Sequence, residues 1–316
     1  MIIESDQTLR TVLVPELRRS LQAGDPVFLV VSEHTAAVVR DDLGSAGTRL
    51  EWGDRAVFYQ RLGLAYEAFR RYLADQHAQG RRVHVVAEPH IPDYLASDAP
   101  VDRAMAYLEY ESVCNDTYAP YGSSVTCLWD SRRYASHVID GACSVHSHEL
   151  TETGRTLNPR YVASDDYLAG RTDAPLQAPS AAVEQDLELI EAKQLGLLRA
   201  ALGSWIDQHG FDAPAVEDIV LAITEVATNG LTHGAAPVRV RGWQDGSTLV
   251  VQVDDSGGRP VPPDAGYRRP AAAHTPGGRG LWLARQLADT VTARTQAGQT
   301  SVRLHFPREV TNREPL

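Results

Sequence analysis

The chain has 316 residues, 43% of them hydrophobic, enough for a sizeable core and more in keeping with two domains than one. Its formal net charge of -11, with no run of Lys and Arg, repels a polyanion. Direct nucleic-acid binding is therefore not expected; a protein partner or a small ligand is. No apolar run approaches the roughly 20 residues that cross a bilayer, and the start MIIESDQTLR lacks the basic and apolar regions of a signal peptide. Three cysteines, Cys114, Cys127 and Cys143, show no metal-ligand spacing among themselves and fit free thiols in a reducing cytoplasm.

The first part of the chain alternates helix and strand patterns. Leu9, Val12, Leu13, Leu17 and Leu21 form a helical stripe that Gly24 can stop, and Pro15 either kinks this helix or starts it. PVFLVVS (26–32) is a continuous apolar run, as in a strand covered on both faces. A helix over 34–43 and a strand around TRLEW (48–52) follow, then a long helix over 57–78. Next come a strand at RRVHVVAE (81–88), a helix over 101–116 and a strand at SVTCLWD (124–130). This alternation predicts a doubly wound, mostly parallel sheet, whose ligands sit at the carboxyl ends of strands. Ser32, Glu88 and Asp130 fall where strands stop, although polar groups there are commonly just solvated.

RTDAPLQAPSAAVEQ (171–185), rich in Pro, Ala and small polar residues, reads as a linker. The expected division is a first domain over 1–170, a linker over 171–184 and a second domain over 185–310. The second domain is patterned differently. Helices are expected over 191–209 and 214–232, then a hairpin of PVRVRGW and STLVVQVDD turning at QDGS. A Pro/Gly-rich loop (256–279), a helix from about Leu281 to Asp289 and a last hairpin turning at QAGQ complete it. Helices followed by antiparallel hairpins predict an α/β sandwich with helices on one face of the sheet.

Chemistry concentrates in this second domain. In AITEVATNGLTHG (222–234), Glu225 and Asn229 are four residues apart and project together from a helix. The first is a candidate general base; the second offers a neutral oxygen suited to Mg2+. VQVDDSGG (251–258) ends an apolar strand at Asp255, which can accept from the exocyclic amine of adenine, and Gly257 lets a base approach the backbone. PGGRGLW (276–282) sets Gly277, Gly278 and Gly280 before a helix beginning near Leu281, where exposed N–H groups suit a phosphate chain. Thr300 opens the last strand and offers a hydroxyl. No Lys-Ser/Thr follows the glycines, so this is not a Walker A loop.

In that order these segments resemble the boxes of the GHKL ATPase superfamily over residues 184–307, most closely those of the anti-sigma-factor serine kinases. ITEVATNGLTHG is similar to the N-box, DDSGG to the adenine-binding D-x-G box, GGRGLWLARQLAD to the second glycine box and GQTSVRL to the closing strand. The resemblance implies ATP and Mg2+ as cofactors, with Glu225 as general base, Asn229 as Mg2+ ligand and Asp255 as adenine reader. It also implies a phosphate loop holding Gly278, Gly280 and Leu281, with Gly257, His233 and Thr300 about the nucleotide. His233 is equally readable as a helix-end histidine with no ligand role. At position 259 the chain has Arg where the family's box has its second glycine.

Residues 1–165 resemble the MEDS (DcmR-type) sensory domain, carried by LQAGDPVFLVV, VVAEPHIP, YLEYESVCN and CLWD. That resemblance implies sensing of a small organic ligand, with Glu88, Glu111 and Cys127 as pocket candidates, each also readable as purely structural. SVHSHELTETG (144–154) contains a Ser-His-Glu-Leu like the phosphoacceptor box of histidine kinases, but the two-helix hairpin that such a box needs is not in the pattern around His148.

Together the two resemblances imply a cytoplasmic regulator of transcription that binds Mg-ATP. It would phosphorylate an antagonist protein, with a sigma factor or that antagonist as partner and a homodimer as a common family state. A non-catalytic nucleotide-dependent switch and a sensor histidine kinase are the alternatives.

Overall fold

The computed structural model describes residues 1–58, 61–90, 103–171, 176–270, 279–296 and 298–311. Contacts divide the chain into two units. One holds Met1–Tyr59, Ala65–Pro92 and Tyr107–Tyr167; the other holds Gln60–Leu64, Asp93–Ala106 and Leu168–Leu316.

In the first unit, β1 (Ile2–Ile3) precedes helical residues that break and resume. A π turn at Leu9–Leu13 hands over to α1 (Val14–Ala23), the Val14 N–H bonding Leu9 O. Pro15 thus falls in the first turn of α1, where its missing N–H costs little. The helix starts there, and Gly24 closes it at φ 84°. β2 (Val27–Val30) is followed by α2 (Glu33–Leu43), capped by the Ser32 hydroxyl. β3 (Leu50–Trp52), α3 (Leu62–Ala78), β4 (His84–Ala87), α4 (Arg103–Tyr118) and β5 (Ser124–Cys127) complete the alternation.

The four strands pair in parallel in the order β3-β2-β4-β5. Residues of β2 alternate between two helical layers. Val27 and Leu29 join the core containing Leu9, Leu13 and Leu17, while Phe28 stacks on Tyr72 of α3. The sheet is therefore covered on both faces, as its apolar strands require. The expected strand at 124–130 is two: β6 (Trp129–Asp130) leaves the main sheet and pairs with β1. The unit continues with α5 (Ser136–Val145) and a hairpin, β7 (His148–Thr151) with β8 (Gly154–Leu157).

The second unit opens with β9 (Gln185–Leu189), a strand the sequence pattern does not announce. α6 (Leu195–Gln208) and α7 (Ala213–His233) follow, the latter capped by Asp212, whose carboxylate accepts from Ala215 N. Then come β10 (Val238–Asp245), β11 (Thr248–Asp255), α8 (Arg279–Leu287), β12 (Thr290–Gln296) and β13 (Gln299–Pro307). The antiparallel order is β12-β13-β11-β10-β9. One sheet face supplies Val238, Val240, Leu249, Val251, Val253, Val302 and Leu304 to a core shared with Leu202 and Ile206 of α6, Ile219, Ile223 and Ala227 of α7, and Ala284 of α8. The other face is polar and partnered: Arg303 donates to Gln252 Oε1 and lies over the Trp243 ring.

Residues 61–64 and 103–106 belong to this unit by contact. Arg61 Nη1 reaches Asp218 Oδ2 at 2.9 Å and Leu287 O at 3.0 Å. Arg103 forks onto buried Asp289 at 2.7–3.0 Å. Glu184, expected to end the linker, is also tied to this unit: its N–H donates to Gly242 O, and its Oε2 accepts from Trp205 Nε1 at 2.8 Å. Among the described residues, no helix is long and apolar enough to cross a membrane.

Candidate functional site

Three pieces of the second unit meet where α7 ends. The first is α7 itself, which presents Glu225 and Asn229 one turn apart, both half-buried. Among the described residues, neither side chain has a hydrogen bond or ion pair. Helix propensity does not ask for an unpaired carboxylate beside an unpaired carboxamide, so these groups are available to something else.

The second piece is the start of α8. Gly280 is buried, and a Cβ built on it would lie 2.9 Å from Glu225 Oε2, 2.9 Å from Asn229 Nδ2 and 3.2 Å from Asn229 Oδ1. The first turn of α8, where N–H groups have no intrahelical partner, thus stands directly beside the two polar side chains. The helix begins at Arg279, two residues before the expected start, so Gly280 and Leu281 lie inside its first turn. Gly277 and Gly278 fall outside the described residues. Ahead of α8, Gly266 packs on Leu281, and buried Tyr267 lies under Arg285, whose guanidinium carbon is 3.7 Å from the ring centre. Arg285 also donates to Ala265 O and Val291 O. This clamp on α8 was missed from sequence, where DAGYRR reads only as loop; an aromatic flanked by arginines in a Pro-rich stretch was its only signal.

The third piece is the end of β11. The adjacent aspartates point to opposite faces, as strand geometry requires. Asp254 is on the polar face, bonded by Arg241, Gln252 and Ser301. Asp255 faces α7, and its Cβ lies 3.4 Å from the Cβ position of Gly230. Its Oδ1 accepts from Gly257 N at 2.8 Å. Among the described residues, Oδ2 takes no hydrogen bond. A Cβ on Gly234 would lie 2.3 Å from Asp255 Oδ1, and one on Gly257 would lie 2.8 Å from Gly234 C. The His-Gly ending of α7 therefore has a steric reason: only glycine lets the strand-end carboxylate and its loop approach the helix terminus. Gly234 was not singled out from sequence, and the missing Cβ of Gly257 is required first by this backbone contact.

Of the other expected residues, Thr300 is buried opposite Asp255 in the β11–β13 register, and its Oγ1 donates to Arg259 O at 2.9 Å. The hydroxyl is thus spent on the loop that carries the Arg in place of glycine. His233 is exposed at the helix end.

The arrangement fits a magnesium nucleotide. It offers an unpaired carboxylate and carboxamide, a strand-end carboxylate with a free oxygen, and a glycine-opened helix start beside them. A Cβ at either Gly280 or Gly234 would fill the cradle.

Of the three candidate residues of the first unit, Glu111 and Cys127 come together and Glu88 lies apart from them. Strand order reverses on either side of β2, which makes the ends of β2 and β4 the switch point. That point is closed: Glu88 Oε2 accepts from both Ser32 N and Ser32 Oγ at 2.8 Å. Glu88 fastens the cap of α2 and does not line the cavity that holds Glu111 and Cys127. This cavity, of about 240 Å3, runs along β5 from Ser123 to Cys127 and is lined also by Cys114, His146 and His148. Burial pushes the Cys127 thiol well above its ordinary range, with Glu111 and Cys114 adding to the shift. His146 was missed from sequence. His148 lies in the β7–β8 hairpin, not in a helix, and its Nδ1 meets Ser147 Oγ at 3.0 Å.

Residues 190–306 match the family described as histidine kinase-like ATPase domain, and residues 1–147 match the MEDS family, the methanogen/methylotroph DcmR sensory domain. No curated protein matches the chain. Among solved structures, the chain is similar to the RsbU and RsbW domains of Rv1364c from Mycobacterium tuberculosis, at 23% identity and a TM-score of 0.29. That match covers 39% of this chain and 31% of the other, so the chain spans about a third of the length of that neighbour. It is also similar to the histidine kinase domain of a blue-light activated histidine kinase from Erythrobacter litoralis. There the identity is 16% and the TM-score 0.27, covering 78% of this chain and 95% of that one.

Proposed function

Starting from a chain that joins a MEDS sensory domain to a histidine kinase-like ATPase domain, we propose a serine/threonine kinase of the anti-sigma-factor type. It transfers phosphate to an antagonist protein and is governed by its sensory domain, which takes a small organic ligand. The observation that carries this reading is the position of Gly280 against Glu225 and Asn229. It sets a base, a neutral oxygen ligand and a helix start within one small space.

When bound, ATP supplies the phosphoryl group and Mg2+ offsets the charge on the transferring oxygens. The protein's own parts are these. Glu225 accepts the proton of the partner's hydroxyl. Asn229 Oδ1 gives Mg2+ a hard, uncharged oxygen. Asp255 Oδ2 accepts from the adenine amine. The first turn of α8 directs backbone N–H groups at the phosphates.

Glu225→Gln tests it. The variant binds ATP as the parent does, and transfer to the partner falls by roughly 10²–10⁴-fold, the usual effect of losing a positioned base. Unchanged transfer contradicts the role. One observation favours a second reading, a nucleotide-dependent switch that captures a sigma factor or its antagonist without moving phosphate. Arg259 replaces the second glycine of the adenine box, and its carbonyl oxygen is pinned by Thr300. Labelled ATP that binds but labels no protein supports that switch; acid-stable label on the partner supports the kinase.

A further inference from the structure

Three side chains in the first unit, remote from one another in sequence, bring a sulfur, a nitrogen and an oxygen to one point. Glu111 lies on α4, Cys127 ends β5, and His146 follows α5. One ligand-type atom from each lies within 4.8 Å of the other two. Glu111 is only 5% exposed, and its Oε2 accepts from the Trp129 indole N–H at 3.0 Å. Its Oε1 is buried with no hydrogen bond. His146 is oriented by its other nitrogen: Nδ1 lies 2.6 Å from Ala142 O. A carbonyl oxygen only accepts, so Nδ1 donates to it, and Nε2 points at Glu111 Oε2 at 3.5 Å. An imidazole nitrogen, two carboxyl oxygens and a thiol thus converge on one point from three separate elements.

We infer that Glu111, Cys127 and His146 bind a divalent metal ion of the zinc class at the wall of the 240 Å3 cavity. A thiolate, an imidazole and a carboxylate are the ligand types that Zn2+ takes, and three protein ligands with the fourth position open is its arrangement where a small molecule must bind. The surroundings match. Ligating histidines donate their second N–H to a carbonyl or carboxylate, and ligating carboxylates are themselves hydrogen-bonded; Ala142 O and Trp129 Nε1 fill those roles. On binding, the Cys127 proton passes to solvent and its sulfur becomes the anionic ligand. The Met1 amino group stays on the Cys127 carbonyl oxygen at 2.9 Å. All three residues line the cavity, so an ion held there would be open to a small molecule bearing a thiol, hydroxyl or amine donor. This inference is independent of the nucleotide site.

The test uses the full chain, stripped with chelator and titrated with Co2+ as a spectroscopic stand-in, then with Zn2+ in competition, without nucleotide. The expected result is one equivalent of Co2+ with a near-ultraviolet thiolate-to-cobalt charge-transfer band, bleached by Zn2+. Cys127→Ser abolishes the band. His146→Gln and Glu111→Gln each weaken binding by roughly 10-fold or more, the scale seen even for outer-shell partners. His34→Ala, on α2 and outside the cavity, leaves it unchanged. Absence of Co2+ uptake by the parent chain overturns the inference. So does a thiolate band that persists in Cys127→Ser, or an affinity indifferent to both His146→Gln and Glu111→Gln.

Discussion

Gly280 stands against Glu225: a Cβ added to the glycine would lie 2.9 Å from the carboxylate's Oε2. The atoms in its way, those of Glu225 and Asn229, are the ends of flexible side chains, so the fold can yield while the site cannot. Gly280→Ala is expected to cost only about 1 kcal/mol of stability, the low end of overpacking. Nucleotide affinity is expected to fall at least about 10-fold, equivalent to about 1.4 kcal/mol. Urea denaturation and calorimetry on the same preparation separate the two. Equal affinity in the variant contradicts the placement of the phosphates.

Gly234→Ala meets a harder obstacle. Its Cβ would be 2.3 Å from Asp255 Oδ1 and 2.7 Å from the Gly230 carbonyl oxygen, which is backbone. A loss of about 2–3 kcal/mol in stability is expected, together with nucleotide binding. A denaturant midpoint equal to the parent's contradicts the close approach of α7 and the end of β11.

The two neighbouring aspartates are expected to behave oppositely. Asp255→Asn replaces an acceptor oxygen with a donor and abolishes nucleotide uptake with little change in folding. Asp254→Asn weakens a buried set of bonds to Arg241, Gln252 and Ser301. It is expected to cost about 1.5–3 kcal/mol, the range for a hydrogen bond to a charged group, while the folded fraction still binds nucleotide. Calorimetry and urea titration of both variants check the pair; exchanged phenotypes contradict the assignment of faces.

How much of this was legible follows from the same residues. The placement of Glu225 and Asn229 on one helix and of Asp255 at a strand end was readable because motif order fixed their elements, and strand alternation then separates Asp255 from Asp254. The hairpin turns were readable from Asp-Gly and Ala-Gly. β9 was not: QDLEL is an edge strand following a Pro/Ala-rich stretch, and only its pairing with β10 makes it a strand. Glu88 stayed open between pocket and structural roles because a strand-end carboxylate looks the same whether it faces a ligand or fastens a helix cap; the Ser32 contact places it at the cap of α2. His146 escaped because its companions, Glu111 and Cys127, lie far away in sequence; spacing among the cysteines alone carried no trace of a mixed cluster.

Two buried histidines predict a pH dependence of stability. Burial, with Arg155 and Arg19 nearby, pushes His84 down to about 4; burial, with Arg303, pushes His305 down to about 3. Both rings also lie within hydrogen-bond distance of hydroxyls, His84 of Ser20 and Thr126, His305 of Thr290. Above the ordinary value of about 6.5, neither state binds the proton and their stabilisation is complete. As pH falls below that value, the unfolded chain takes up protons first. Stability is therefore lost at about 1.4 kcal/mol per pH unit for each ring, down to the folded value of about 4 for His84 and about 3 for His305. Urea midpoints at pH 7 and pH 5 check this: a fall is expected, with its His305 share absent in His305→Gln. A flat profile contradicts the neutral, buried rings.

The central claim is a magnesium nucleotide held between α7, the end of β11 and the start of α8. Isothermal calorimetry of the purified chain with ATP or ADP, magnesium present, tests it most directly. The account predicts saturable uptake of one nucleotide per chain, abolished by Asp255→Asn and retained by Glu225→Gln. Absence of heat with either nucleotide, or uptake untouched by Asp255→Asn, contradicts it.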